Sequence, residues 1–128
     1  MTSQDPIAAA FSATVRDRGD EPLLISPSRR ITARQVEALA RALGAAVTRE
    51  VEPGRLVALA APNGPAFVAA FIALRRHGCP VLLLDWRTPT AEIGRITTVL
   101  GADAALVAGR AWPQRAAEVV LRRSPPGP

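Results

Sequence analysis

The order of elements along this sequence predicts an α/β fold: three layers, with a mostly parallel sheet flanked by helices. Three observations carry that expectation. From Val51 onward, short apolar runs of strand length alternate with helical stretches. The strand runs are continuously apolar rather than alternating, the pattern of strands covered on both faces. The segment VEPGRLVALAAPNGPAFVAAFIALRRHGCPVLLLD, Val51 to Asp85, holds a turn, a strand, a helix, a glycine stop and a second strand. At about thirty-five residues it has the size of one βαβ unit, whose crossover is right-handed.

Each element has its own local warrant. Asp5-Pro6 is a helix start, with Asp as N-cap and Pro at the first helical position. Ile7, Ala10, Phe11 and Val15 then share a face until Asp17-Arg18-Gly19-Asp20 ends the helix. Pro22 to Ser26 reads as a short strand, Ser26 to Arg30 as a turn, and Ile31-Thr32 as a brief return strand. Thr32-Ala33-Arg34-Gln35 fits a capping box, in which the Thr hydroxyl and the Gln side chain each satisfy a free backbone donor. Val36, Leu39, Ala40, Leu43 and Val47 follow at helical spacing, with Arg34, Glu37 and Arg41 expected on the opposite, solvated face and Glu37 paired to Arg41.

Pro53-Gly54 makes the next turn, and Leu56 to Ala60 is a buried strand. Pro62-Asn63-Gly64-Pro65 breaks it, with Asn63 as N-cap of a helix that ends in Arg75-Arg76-His77 before Gly78, the basic last turn and glycine stop of a helix C-terminus. Val81 to Leu84 reads as a second buried strand closed by Asp85, and Trp86 to Pro89 as a loop. Thr88-Pro89 opens a helix carrying Ile93, Ile96 and Leu100 and stopped by Gly101. Ala104 to Val107 is a third strand, and Gln114 to Arg123 reads as a last helix, which Trp112-Pro113 would pack onto the body. The tail Ser124 to Pro128 is expected to be disordered.

Composition narrows the functional classes. Aromatics are 4% of the 128 residues, so the core is expected to consist of Ala, Leu, Val and Ile. The net charge is +5 and all 16 basic residues are Arg, spread along the chain without aromatic interleaving. That distribution suits a solvated basic surface rather than a nucleic-acid interface, and no nucleic-acid partner is expected. Cys79 is the single cysteine and His77 the single histidine, so no internal disulfide can form and no zinc site can be assembled from Cys and His alone. A reducing cytoplasm fits that usage. The start MTSQDPIAAAF lacks the basic region of a signal peptide, and the uncharged run Ala66 to Leu74 is too short to span a bilayer.

The same segments, in order, resemble the N-terminal part of the AMP-forming acyl-CoA synthetase and ligase superfamily, the adenylate-forming enzymes. Leu24-Ile25-Ser26 followed by Ile31-Thr32 is similar to the family's opening pattern, with Ala33 where an aromatic usually stands. QVEALARALGAAV resembles the helix that follows, and Val51-Glu-Pro-Gly-Arg-Leu-Val-Ala-Leu the next turn and strand, with Arg55 in place of the usual Asp. Pro62-Asn63 with Phe67-Val68, Cys79 to Asp85, Thr88-Pro89 with Glu92-Ile93, and Ala102 to Val107 continue the match, although Leu83 replaces a usual Pro. The resemblance runs from about residue 5 to residue 108 and implies a fold equivalent to part of the N-terminal domain of those enzymes. Residues 1–123 would form the partial subdomain and 124–128 a Pro-rich tail.

The resemblance implies a two-step reaction in which a carboxylate and ATP give an acyl-adenylate, with Mg, and a thiol of coenzyme A or of a carrier-protein pantetheine then takes the acyl group. The family uses a Ser/Thr/Gly-rich phosphate loop ending in Lys, a Tyr-containing motif, a ribose-binding Asp and a catalytic Lys. This chain has no Lys and no Tyr. Ala61-Pro-Asn-Gly-Pro65 is short and holds two prolines, which offer no N–H to a phosphate. No catalytic, cofactor-binding or metal-binding residue is therefore carried over. The expectation is a truncated N-terminal portion of an acid–thiol ligase, inactive alone and partnered by the remainder of the ligase or by itself. The alternative is a non-catalytic binding or scaffold module of the same fold.

The residues that invite a sharper reading have plainer ones. Asn63, between a strand and a helix, reads as a helix cap in preference to a ligand contact. Asp85, with Trp86 and Arg87, reads as a cap or loop salt bridge rather than a substrate edge. His77 reads as a complement to a helix C-terminus rather than a base, and Cys79 as a small buried apolar residue.

Overall fold

The computed structural model describes residues 5–108 and 119–123, the last five, with Ala108, by their backbone. Asp5 opens helix α1 (Pro6–Arg18): its Oδ2 accepts the Ala8 N–H at 2.9 Å, and Pro6 takes the first helical position. Arg75, from a later helix, donates to Asp5 Oδ1 through Nε at 2.9 Å and through Nη2. From that anchor Ala8 and Phe11 are buried with Val15 packed beside them, whereas Ile7, expected inward, is exposed. The inward stripe is thus the one the ion pair selects.

Strands β1 (Pro22–Ile25) and β2 (Arg30–Thr32) form the expected antiparallel pair. Thr32 then caps α2 (Ala33–Glu50) through both halves of the capping box: Thr32 Oγ1 accepts from Gln35 N at 3.1 Å, and Gln35 Oε1 accepts from Thr32 N at 2.8 Å. Val36, Ala40 and Val47 bury the predicted stripe. Glu37, expected in solvent, is only 8% exposed. Its helix face lies under α1 and the end of the next helix, so its carboxylate is enclosed by Arg41 and Arg76 instead of water.

β3 (Val57–Ala60) is buried along its whole length and forms the centre of the second sheet. β4 (Val81–Leu83) and β5 (Ala104–Ala108) flank it in parallel, and β6 (Val119–Arg123) adds antiparallel to β5, giving the order β4-β3-β5-β6. Residues 119–123 are therefore strand, not the expected helix. Val119-Val120-Leu121 is apolar with two β-branched residues, and pairing with β5 supplies partners that an isolated helical turn would leave unmade. The other part of that helix, 114–118, lies outside the described residues, as do Trp112-Pro113 and the 124–128 tail.

Two crossovers connect the parallel strands. α3 (Pro65–Arg76) carries β3 to β4, and α4 (Thr90–Leu100) carries β4 to β5. They lie on opposite faces. Ala66, Ala70 and Leu74 of α3 pack with Val57, Leu59, Ala104 and Leu106, whereas Ile93 of α4 packs with Ala58, Ala60, Ala105 and Val107. α3 is apolar nearly all round because its other side meets α1 and α2, where Ala69 and Ile72 join Phe11, Val36 and Ala40. β4 is an edge strand, and Leu83, expected to be buried, is 56% exposed. Leu100, expected inward from α4, is likewise exposed, and Thr97 takes the buried position.

Candidate functional site

In a parallel sheet, ligands bind where two neighbouring strands send their crossovers to opposite faces, because a crevice opens between the departing loops at the strands' carboxyl ends. β3 and β4 satisfy that condition here: α3 leaves β3 toward one face and α4 leaves β4 toward the other. The loops at that point are 61–64 after β3 and 84–89 after β4. The topology thus places Asn63 and Asp85-Trp86-Arg87 at one end of one strand pair, although they are far apart in sequence.

The β4 loop is pinned by its own chemistry. Leu84 N–H donates to Leu59 O at 2.9 Å, extending the ladder by one rung, and Thr88 N–H donates to Asp85 O at 3.0 Å to close a turn. Within that turn Asp85 Oδ1 accepts from Arg87 N at 2.8 Å and from Arg87 Nε at 3.1 Å, and Oδ2 accepts from Arg87 Nη2 at 2.9 Å. The guanidinium first, then the backbone N–H, lowers the Asp85 pKa to about 2. The loop salt bridge read from the sequence is present. It is solvent-exposed, so it shapes the turn more than it stabilises the fold. Trp86 is half exposed between its two charged neighbours.

The β3 loop departs from expectation. Asn63 is exposed and does not cap α3; Gly64 is the N-cap residue, and no side chain accepts a hydrogen bond from the first turn. Pro65 at the first helical position fixes this start: it removes one donor and moves the cap one residue beyond Asn63. Pro62 and Pro65 take two backbone donors from this corner, and the first-turn N–H groups of α3 have no side-chain acceptor.

His77 and Cys79 belong to the opposite end of the sheet. His77 is the C-cap of α3, and its Nε2 lies 2.6 Å from Val51 O, tying the end of α3 to the turn before β3. Cys79 is a fully buried free thiol in the core beside Val57 and Leu74, and burial raises its pKa, so it is not an activated thiolate. The structure therefore separates these residues from the crevice: Cys79 is the small buried residue read from the sequence, and the His77 imidazole meets the Val51 carbonyl.

The residues at the crevice do not fit a triphosphate with its metal. A phosphate cradle needs successive backbone N–H groups and a cation to balance growing charge. Here Pro62 and Pro65 stand on either side of Asn63-Gly64, and the guanidinium of the β4 loop, Arg87, is held by Asp85. Among the described residues no group of three or more His, Cys, Asp or Glu is placed to hold a metal ion. No helix of the described residues is long and apolar enough to cross a membrane.

Sequence reasoning missed the meeting of Glu37, Arg41 and Arg76 behind α1. The signal was available in part, since Glu37 and Arg41 stand four apart. That Arg76 joins them follows only from the packing of α3 on α2.

The profile of the family described as AMP-binding enzyme matches residues 11–125. The chain is 32% identical over 104 residues to a (7a-methyl-1,5-dioxo-octahydro-1H-inden-4-yl)propanoyl:CoA ligase of Mycobacterium tuberculosis, covering 80% of this chain and 20% of that ligase. In structure it is similar to the N-terminal subdomain of NpsA from Klebsiella oxytoca, with a TM-score of 0.68 and 21% identity over 87% of this chain and 29% of that one. It is also similar to the nonribosomal peptide synthetase FmoA3 in its AMPPNP-bound form, with a TM-score of 0.73 and 25% identity over 91% of this chain and 13% of that one. The chain thus spans about a fifth of the ligase and less than a third of either structural neighbour.

Proposed function

The chain belongs to the AMP-binding enzyme family, and from that premise we propose that it is the N-terminal portion of an AMP-forming acyl or aryl acid ligase that does not adenylate by itself. Residues 1–123 form the partial subdomain and 124–128 a Pro-rich tail. The reaction of the whole enzyme is carboxylate activation by ATP followed by thioester formation with coenzyme A or a pantetheine carrier. This portion contributes one wall of the switch-point crevice, and the cations that handle ATP come from residues other than these.

One observation carries the reading: a family match over nearly the whole chain coincides with a sequence that has no Lys and no Tyr. The lysines of such a reaction stabilise charge developing on phosphate and carboxylate, and Arg87, neutralised by Asp85, is no substitute at the crevice. The partner this implies is the remainder of the ligase fold. The test is pyrophosphate release from ATP with a panel of fatty and aromatic acids, using the purified 128-residue chain alone and mixed with a C-terminal portion of a related ligase. No release alone and release in the mixture is the expected outcome. Turnover by the chain alone would overturn the proposal.

A further inference from the structure

On the helical side of the molecule, away from the crevice, α1, α2 and α3 border a solvent-open cavity of about 480 Å³ lined by Ser12, Val15, Arg16, Glu37, Arg41 and Arg76. Arg16 and Arg76 stand in the last turns of α1 and α3. α3 runs back from the carboxyl end of β3, so this cavity is nearer the amino ends of the parallel strands than Asn63 and Asp85 are. Three guanidinium groups from three helices therefore line one space, with the Glu37 carboxylate among them and Asp17 paired to Arg16.

Clustering cations is unfavourable unless something negative lies among them. Glu37 supplies part of that charge. Its Oε2 accepts from Arg41 Nε at 2.7 Å, and its Oε1 lies 2.8 Å from Arg76 Nη2. The Arg76 contact is an ion pair with poor hydrogen-bond geometry, leaving buried Oε1 without a hydrogen bond. Arg76 is further held by Ser12 Oγ at 3.0 Å and by stacking over the Phe11 ring at 5.5 Å. Arg16 leans on Asp17 at 3.3 Å, an exposed and weak contact. Each guanidinium has five donors, so most of those in this cluster find no acceptor among the described residues.

We propose that this cavity binds a phosphate-type oxyanion. Three positive charges against Glu37 and the exposed Asp17 leave an excess of one, which a phosphate-type anion balances, and Arg forks match its oxygens in pairs. Glu37 acts as the positioning residue that fixes Arg41 and Arg76. The negative ends of α1 and α3 offset part of the excess, so the affinity is roughly millimolar and falls with added salt.

The test follows the Arg Nε–H resonances by NMR while sodium phosphate, or separately glycerol phosphate, is added to the 128-residue chain at constant ionic strength. Saturable shifts at Arg16, Arg41 and Arg76 are expected. Arg41→Gln, a change at a side chain 77% exposed, weakens binding about tenfold, Arg16→Gln weakens it as an independent variant, and the distant Arg49→Gln leaves it unchanged. Saturation by free phosphate identifies the ion itself as sufficient, and saturation by glycerol phosphate alone identifies a phosphomonoester; either supports the site. Shifts that match those from chloride, or full binding by both Arg41→Gln and Arg16→Gln, overturn it.

Discussion

The two faces of the parallel sheet are built from similar apolar strands, yet they are covered very differently. Toward α3, Val57, Leu59, Ala104 and Leu106 meet a helix that is itself buried beneath α1 and α2. Toward α4, Ala58, Ala60, Ala105 and Val107 meet the buried Ile93, with Leu82 and Leu84 at the margin, while Val99 and Leu100 of the same helix face solvent. The first face is large-residue and deep, the second small-residue and thin. The strand residues are buried on both faces, and the difference lies in the covering helix: α3 is itself buried, whereas α4 keeps an apolar side in solvent.

Truncating a large side chain on the deep face should break this comparison most strongly. Leu74→Ala, at a fully buried position, is expected to lower stability by about 3–5 kcal/mol in chemical denaturation, because three surrounding elements cannot collapse into the space left. Ile93→Ala on the thin face should cost about 2 kcal/mol, since α4 can settle onto the alanines beneath it. Equal losses from the two variants would show that α4 is as tightly supported as α3.

The anchor of the deep face offers a pH test. Hydrogen bonds from Arg75 and then from Ala8 N–H hold the Asp5 carboxyl below its ordinary range. A depressed folded-state pKa adds stability that is present above the unfolded value of about 4 and lost as pH falls through the folded value. Asp5→Asn keeps a side chain able to cap α1 but removes the charge paired to Arg75. Its urea midpoint should lie below the parent's at pH 7, and the gap should close as pH drops below about 4. A constant gap would mean that the charge plays no part in docking α1.

The smallest effect is expected at the sheet edge. Leu83→Ser should change stability by less than about 0.5 kcal/mol, because its side chain is already mostly in water, while lowering the binding of an apolar dye. A loss of several kcal/mol would show that Leu83 is covered in solution, by another copy of the chain or by another part of a ligase.

Much of the architecture was legible because it was written in local rules. Asp5-Pro6, the Thr32–Gln35 box and Gly101 after α4 each act within a few residues, and all appear where the local pattern puts them. The parallel arrangement was legible from the continuous apolarity of Leu56–Ala60, which only a doubly covered strand needs. The failures have a common cause. Glu37, Leu83, Leu100 and residues 119–123 were read from their neighbours in sequence, whereas their environments are set by partners far along the chain. Asn63 is the exception, a local error: Pro65 moved the helix start by one residue.

By itself, then, the sequence determined which segments would be helix or strand up to Val107, the family they belong to, and the absence of lysine and tyrosine for phosphate chemistry. The tertiary structure alone decided which strand became the edge, that residues 119–123 pair with β5, and that Arg76 joins Glu37 and Arg41 behind α1. Caps, turns and periodicity act over one or two helical turns. Burial and ion pairing depend on which distant surfaces meet, and that is settled only when the chain packs.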